Sequence, residues 1–94
     1  MDHDYELNRI VCAAMLMEDG SIIPGVRHYS PEMRDILFKI YGEKYHLKVK
    51  EQGFIDQFGC FHNREVAWKI AEQKRQIIRL TGAPSGTLYS ENLY

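Results

Sequence analysis

The stretch that decides the fold reads Glu51-Gln52-Gly53-Phe54-Ile55-Asp56-Gln57-Phe58-Gly59-Cys60-Phe61-His62-Asn63-Arg64-Glu65. The part from Gly53 to Phe61 has the composition of a strand, a turn near Gly59 and a second strand. Asn63 is a preferred N-cap residue, so a helix is predicted to begin directly after the second strand. A hairpin that leads into a helix indicates an α+β protein: a small antiparallel β-sheet with two α-helices packed on it.

The same stretch mixes flat apolar rings with groups that form directional hydrogen bonds. The rings are Phe54, Phe58 and Phe61, and the polar groups are those of Asp56, Gln57, Asn63 and Arg64. Such a mixture suits the recognition of a ring with polar edges, for example a nucleobase. A hairpin whose aromatic residues complete a small core explains the same pattern, and composition alone leaves both interpretations open.

Size and charge restrict the class of protein. A chain of 94 residues fits a single domain that spans residues 1–94. Hydrophobic residues at 45% and aromatic residues at 12% are enough for a folded core. The net charge is −1 and the charges are interspersed, whereas proteins that bind nucleic-acid polymers carry a basic excess. We therefore expect no nucleic-acid polymer as partner, although a few local arginines suffice for an anionic small molecule.

The apolar run from Ile10 to Met17 is too short to span a bilayer. The acidic flank at residues 2–6 does not match the basic start of a signal peptide. These features predict a cytoplasmic protein without a membrane partner, in which Cys12 and Cys60 remain thiols. Cys60 and His62 have no second ligand pair at zinc-like spacing, so neither a metal nor another cofactor is predicted.

The first half of the chain predicts a hairpin followed by a helix. An apolar strand at 8–17 is followed by a turn at 18–21 and by a return strand that Pro24 confines to a sheet edge. The strand at 8–17 does not alternate, so both of its faces are predicted to be covered, one by helices and the other, for example, by a second subunit. Ser30 caps a helix that ends at Gly42. Its predicted apolar stripe is Met33, Ile36, Leu37, Ile40 and Tyr41.

In the second half, weak alternation from Tyr45 to Val49 predicts a short strand, and the second helix is predicted to run from Arg64 to about Arg79. Phe38 and Trp68 fall outside the apolar stripes of the two helices, which favours a contact between subunits through the helices. The apolar composition of residues 88–94 predicts that this segment docks on the domain.

Candidate site residues lie at the helix ends. Arg27 and His28 precede the capped first helix, where a guanidinium and free backbone N–H groups can hold a phosphate. An ordinary surface ion pair explains Arg27 equally well. Arg79 complements the C-terminal end of the second predicted helix and needs no ligand for that role.

Enzymatic activity has little support in the sequence. The strand, Asp-Gly hairpin and return strand are similar to the start of a Nudix hydrolase, but neither helix supplies the glutamate-rich metal motif of that enzyme. Glycine-rich phosphate loops are missing from the sequence as well. We therefore predict a binding protein and no catalytic residues.

Taken together, three segments resemble the first family of phage Thoeris anti-defence proteins. They are Asp19-Gly20 with Gly25-Val26-Arg27-His28-Tyr29, the stretch from Glu51 to Ala67, and Leu88-Tyr89-Ser90-Glu91-Asn92-Leu93-Tyr94. The resemblance covers most of the chain in order, and the stretch from Glu51 to Ala67 is its most specific part. The connector between the helices, around 43–50, looks shorter than in some members.

The resemblance implies a sponge: a protein that binds the cyclic ADP-ribose isomer made by a bacterial TIR-domain sensor and holds it uncleaved inside the infected host cell. Some members also capture cyclic di- or trinucleotides at separate sites, and members assemble as homodimers or higher homo-oligomers. By the same resemblance, Phe54 stacks on the adenine, Asn63 bonds nearby polar groups, and Arg27 and Arg79 contact phosphates. The ligand-binding set expected from the residues and the resemblance is Phe54, Asn63, Arg27, Arg79, His28, Asp56, Gln57 and Arg64.

Two other classes of function remain open at this point. One is an enzyme that hydrolyses a cyclic nucleotide signal, with His28 or His62 and a nearby acid as catalysts. The other is a protein–protein inhibitor that blocks a host factor with a surface formed by Phe38 and Trp68.

Overall fold

Four strands and two α-helices make up the domain, as a computed structural model of residues 8–79 and 86–93 describes it. The strands are β1 (Ile10–Met17), β2 (Ile22–Gly25), β3 (Val49–Asp56) and β4 (Phe61–Asn63), and the helices are α1 (Pro31–Tyr41) and α2 (Arg64–Gln73). The strands form one antiparallel sheet in the order β2-β1-β3-β4. The predicted α+β fold is confirmed.

The β1–β2 hairpin closes through the predicted turn. Gly20 has a φ of 90°, which a glycine adopts without strain, and the Ser21 N–H donates to Asp19 Oδ1 at 2.9 Å. β2 lies at one edge of the sheet. Pro24 therefore sits where its missing N–H costs no hydrogen bond to a further strand, as the sequence predicts.

Both helices pack on the same face of the sheet. Ala13 lies opposite Phe54, and both join a core cluster with Ala67 and Ile70 of α2. Two residues further along β1, and hence on the same face, Met15 joins a second cluster that includes Met33 and Leu37 of α1. The opposite face of the sheet carries half-buried side chains that belong to neither cluster. They are Cys12, Leu16, Ile55 and Phe61.

Helix α1 begins and ends where the sequence predicts, but its buried stripe is narrower. Ser30 Oγ accepts the Met33 N–H at 3.3 Å, and Gly42 follows the helix with a φ of 84°. Met33 and Leu37 are fully buried, whereas Ile36 is 41% and Ile40 is 59% exposed. The prediction that both isoleucines face the core is wrong, because α1 contacts the sheet mainly at the short edge strand β2.

The predicted strand from Tyr45 to Val49 is also wrong. Tyr45–Lys48 forms a 3₁₀-helix, and β3 begins only at Val49. Tyr45 and Val49, four residues apart, both pack against the second core cluster, while Leu47 between them is exposed. The alternation in the sequence therefore reflects a helical turn.

Helix α2 begins at its predicted cap but ends at Gln73, six residues before the predicted end at Arg79. The Gln76 N–H donates to the Ala71 carbonyl at 2.8 Å and the Arg75 N–H to the Glu72 carbonyl at 3.1 Å. Arg75 has a φ of 55°. These features form a Schellman motif in which arginine occupies the position usually taken by glycine. Past it, the Gln76 side chain bonds both the N–H and the carbonyl of Ile10.

The C-terminal segment at 86–93 docks on the domain, as predicted. Leu88 is fully buried in the first core cluster, and Asn92 Nδ2 donates to the Arg79 carbonyl at 3.0 Å. The predicted loop at 81–85 and the terminal Tyr94 lie outside the described residues. Trp68 is half-buried against the first core cluster while Phe38 is 52% exposed, so the two rings do not form the matched exposed pair that the sequence predicts.

Candidate functional site

Four parts of the fold bring polar and charged side chains together beside β3. They are the segment after β2, the first half of β3, the first residue of α2 and the C-terminal segment. We call this group the arginine cluster and define it as Arg27, His28, Gln52, Arg64 and Tyr89.

Arg64 is the centre of the arginine cluster. Its Nη1 donates to the Leu88 carbonyl at 2.8 Å and its Nη2 to Gln52 Oε1 at 3.1 Å. The guanidinium carbon lies 4.5 Å from the centroid of the Tyr89 ring, within the range of a cation–π contact. Within residues 8–79 and 86–93, no carboxylate comes within ion-pair distance of Arg64. A half-buried positive charge is thus held by uncharged groups.

Burial lowers the pKa of Arg64, and electrostatic interactions with Tyr89, Glu91 and Glu65 act in the opposite direction. The ordinary pKa of arginine lies far above neutrality, so the guanidinium keeps its charge at neutral pH. Its partners supply hydrogen-bond acceptors but no compensating negative charge. An anion that entered the cluster would supply that charge and relieve part of the cost of burial.

His28 joins the arginine cluster to β3. Its Nε2 lies 2.7 Å from the Gly53 carbonyl, which can only accept, so Nε2 carries the proton. In the neutral ring Nδ1 is then an acceptor, and it lies 3.4 Å from Arg64 Nη2. Burial, followed by the charge of Arg64, lowers the pKa of His28. The ring is therefore neutral at pH 7 and both of its nitrogens are engaged.

Arg27 lies on the solvent side of the cluster. Its Nη1 donates to Ser90 Oγ at 3.2 Å and lies 4.0 Å from the Glu91 carboxylate. The side chains of Arg27 and Glu91 are 38% and 57% exposed, so this ion pair is well solvated and weak. A phosphate could replace Glu91 beside Arg27 at little cost.

An open groove of about 620 Å³ adjoins the arginine cluster. It is lined by the segment from Gly25 to Glu32, which includes Arg27, His28 and Tyr29. Tyr29 has a φ of 56°, in the left-handed region that non-glycine residues rarely occupy. Backbone strain of this kind is concentrated at functional sites. The volume falls in the range of pockets that hold small molecules.

Phe54 lies beneath the arginine cluster and not at its surface. It is fully buried in the first core cluster, in a T-shaped contact with the His28 ring at a centroid distance of 5.2 Å. A base cannot stack on a ring that has no exposed face, so the stacking role expected of Phe54 does not fit this structure. Its ring instead supports His28, and lies 5.9 Å from the Arg64 guanidinium.

Two other residues that were expected to bind the ligand have structural roles. Asn63 Oδ1 accepts the Val66 N–H at 2.8 Å, which is the helix cap that the sequence predicts. Arg79 lies past the end of α2, where its N–H and its carbonyl both bond Asn92. Its side chain is exposed.

Asp56 and Gln57 lie at the β3–β4 turn, at the opposite end of β3 from Gln52. Asp56 is almost fully buried and accepts from His62 Nε2 at 2.8 Å, from Asn8 Nδ2 at 2.8 Å, and from the backbone N–H groups of Phe58 and Cys60. Gln57 Oε1 accepts the Arg9 N–H at 2.7 Å. Asp56 thus organises the turn and Gln57 links it to the segment before β1, and the structure does not bring either side chain to the arginine cluster.

Of the eight expected residues, the structure brings Arg27, His28 and Arg64 together, with Phe54 beneath them. Sequence reasoning did not assign Gln52 or Tyr89 to the site. Both lie in segments quoted for the family resemblance, and that is the signal that could have pointed to them. Their contact with Arg64 depends on how the C-terminal segment docks, which no local pattern predicts.

The described part of the chain contains neither a metal-binding cluster nor a membrane-crossing helix. There, no group of three His, Cys, Asp or Glu side chains is placed to hold a metal ion. No helix among residues 8–79 and 86–93 has the length and apolar character needed to cross a membrane.

The fold and the site define a small α+β protein with a half-buried arginine cluster beside an open groove. A protein-family model described as Phage T4 y16D protein matches residues 9–94. The chain therefore belongs to the phage T4 y16D family and is a phage protein. No curated protein and no solved structure matches this chain significantly.

Proposed function

We propose that this chain binds a cyclic ADP-ribose-type signalling nucleotide of the infected host and sequesters it without degrading it. The observation that carries the proposal is the half-buried Arg64 guanidinium, whose nearest partners are all uncharged. Membership of a phage family and the resemblance to Thoeris anti-defence proteins are in keeping with it.

The ligand class is proposed from the combination of charge and shape. Arg64 and Arg27 supply two guanidinium groups, which suit the two phosphates of a pyrophosphate. The groove supplies apolar surface at Val26, Tyr29 and Pro31 for a base or a sugar face. Because Phe54 is buried, we assign the contact with the adenine ring to Tyr29.

Sequestration without cleavage is proposed because His28, the histidine of the arginine cluster, is not free to act as a general base. Both nitrogens of His28 are engaged, one by the Gly53 carbonyl and the other by Arg64. Burial also lowers the pKa of the ring, which makes it a weaker proton acceptor. A protein that only stores a ligand needs charge and shape, but no proton transfer.

One observation favours the alternative of an enzyme that hydrolyses the signal. His62 and Asp56 form a hydrogen-bonded pair at 2.8 Å, an arrangement that orients histidine in many active sites. Asp56 also holds two backbone N–H groups of the β3–β4 turn. We therefore regard the pair as structural, and the chemical fate of a bound ligand distinguishes the two functions.

Arg64→Lys tests the site directly. Lysine keeps the positive charge but loses the planar fork, in which separate nitrogens bond Leu88 and Gln52, so it cannot reproduce that geometry beside a phosphate. We expect calorimetry with the cyclic ADP-ribose isomer to show affinity reduced at least tenfold, since a charge-assisted hydrogen bond contributes about 1.5–3 kcal/mol.

Lys69→Ala is the matched control, because Lys69 is an exposed cation on the same helix. Its affinity should equal that of the wild type. Thermal unfolding of both variants monitors the fold. Unchanged affinity in a folded Arg64→Lys variant would remove the arginine cluster from the binding site.

A further inference from the structure

Arg27 and Arg64, the two arginines of the arginine cluster, are held with different firmness. Arg64 is half-buried and donates to the Leu88 carbonyl and to Gln52 Oε1. The Arg27 side chain is 38% exposed, and Arg27 is also one of the residues that line the groove. Exposed side chains change rotamer within nanoseconds. Rotation about its own side-chain bonds can therefore exchange the partners of the Arg27 guanidinium with the backbone unchanged.

Two neighbouring side chains of the C-terminal segment hold Arg27 in what we call its docked position. Arg27 Nη1 donates to Ser90 Oγ at 3.2 Å and lies 4.0 Å from Glu91 Oε1. Ser90 is almost fully buried and belongs to the short 3₁₀-helix Ser90–Asn92, whereas the Glu91 side chain is 57% exposed. Arg27 is therefore held by one buried hydroxyl and one solvated carboxylate.

Glu91 has the chemistry of the ligand group that Arg27 is proposed to bind. A carboxylate and a phosphate both present oxygen acceptors that match the guanidinium fork. Burial lowers the pKa of both Arg64 and His28, and the charge of Glu91 acts against burial in each case. The charge of Glu91 therefore acts on more of the cluster than Arg27 alone, as the charge of a bound phosphate would.

We propose that a nucleotide phosphate competes with Ser90 and Glu91 for Arg27, so that Arg27 leaves its docked position when the ligand binds. The identity of the ligand is taken from the proposed function, on which this inference rests. Only molecules in which Arg27 has left Ser90 and Glu91 offer both guanidinium groups to the two phosphates, and the measured affinity is reduced by that fraction. The C-terminal segment thus acts as a built-in competitor that sets the affinity of the site.

Calorimetry with two probes, the cyclic ADP-ribose isomer and inorganic pyrophosphate, tests the competition at constant ionic strength. Exposed ion pairs are weak, so Glu91→Gln should tighten the binding of each probe about threefold. Ser90→Ala combined with Glu91→Gln also removes the hydrogen bond to Arg27, and the gain should reach about tenfold. Glu72→Gln is the matched control, because Glu72 is an exposed acid on α2, and this variant should bind as the wild type does.

Arg27→Gln distinguishes competition for Arg27 from simple repulsion between Glu91 and the ligand. Once Arg27 is replaced, Glu91 has no guanidinium to compete for at this position. Adding Glu91→Gln to Arg27→Gln should therefore leave the affinity unchanged. Repulsion through space does not require Arg27, so in that case the gain would persist. A double-mutant cycle over Arg27 and Glu91 measures this coupling directly.

Circular dichroism establishes the fold of each variant, and Glu91→Gln, at an exposed position, carries the test even where Ser90→Ala unfolds. If the wild type binds the isomer, unchanged or weaker binding by Glu91→Gln, or a gain that persists beside Arg27→Gln, would overturn the inference and leave the proposed function standing. The predicted gains with pyrophosphate, together with no binding of the isomer, would support the competition and reject the proposed ligand. Binding of neither probe by any variant would overturn both.

Discussion

Arg64 and His28 take their chemical states from groups that are distant in sequence. The partners of Arg64 come from β3 and from the C-terminal segment, and the proton position of His28 follows from the carbonyl of Gly53. A Cβ at Gly53 would overlap with the carbonyl oxygen of His62 and with the ring of Phe61, so glycine is required where β3 meets β4. The sequence indicated Arg27, His28 and Arg64 as candidates, because their residue types suit an anion. It could not indicate that Phe54 is buried beneath them.

Asp56 gives a prediction at the scale of one side chain. Burial alone would raise the pKa of Asp56, but hydrogen bonds from His62, from the N–H groups of Cys60 and Phe58 and from Asn8 outweigh it, so the pKa is lowered. Because the pKa of Asp56 is lower in the folded state, the ionised carboxylate stabilises the fold at pH values above the unfolded-state pKa of about 3.9. This stabilisation is lost as the pH falls through the folded-state pKa.

We therefore expect Asp56→Asn to reduce the free energy of unfolding by about 2 kcal/mol at pH 7. The difference from the wild type should shrink as the pH falls below about 4, where the unfolded state begins to take up the proton, and should vanish once the pH is below the lower folded-state pKa. Urea denaturation at several pH values measures both quantities. A difference that is independent of pH would contradict the assigned hydrogen-bond role of the carboxylate.

At the scale of whole elements, local signals predicted beginnings better than ends. Ser30 and Asn63 each cap a helix at the predicted residue, because capping depends on a side chain and the N–H three residues later. The end of α2 was missed because a left-handed C′ position is usually marked by glycine, and here it is Arg75. The prediction of a strand at Tyr45–Val49 was wrong because, over so few residues, an alternating apolar pattern cannot be distinguished from apolar residues spaced one helical turn apart.

Arg75→Gly tests this account of the end of α2. Glycine adopts a φ of 55° without the steric cost of a Cβ, so the variant should be more stable than the wild type by about 1 kcal/mol. Lys74→Gly is the control, since Lys74 has a φ of −94° and gains nothing from glycine. Thermal denaturation compares the two. An Arg75→Gly variant that is less stable than the wild type would mean that the arginine side chain contributes more than its backbone strain costs.

At the scale of the whole molecule, the C-terminal segment connects the core to the arginine cluster. Leu88 fills the first core cluster, and its carbonyl accepts from Arg64 while its N–H donates to the Arg64 carbonyl. Tyr89 then covers the guanidinium. Stability and ligand binding should therefore depend on the same docking contact. The apolar composition of the segment predicted that it docks. It did not predict which residues make the contacts, and so did not place the Tyr89 ring over the Arg64 guanidinium.

Leu88→Ala tests that coupling. Loss of a fully buried leucine side chain should cost about 3 kcal/mol of stability. The same variant should bind the cyclic ADP-ribose isomer more weakly at a temperature where it remains folded, because Arg64 loses its restraint. Leu47→Ala, at an exposed position, should leave both quantities unchanged. A variant that loses stability but keeps wild-type affinity would separate the segment from the site.

The central claim concerns the fate of the ligand and can be tested by one mass-balance measurement. The purified protein is incubated with the cyclic ADP-ribose isomer, freed of unbound nucleotide and denatured by heat, and the released material is quantified by mass spectrometry. Our account predicts that the nucleotide is retained at micromolar concentration and is recovered with unchanged mass. Recovery of a cleaved product, or no retention of this nucleotide, would contradict it.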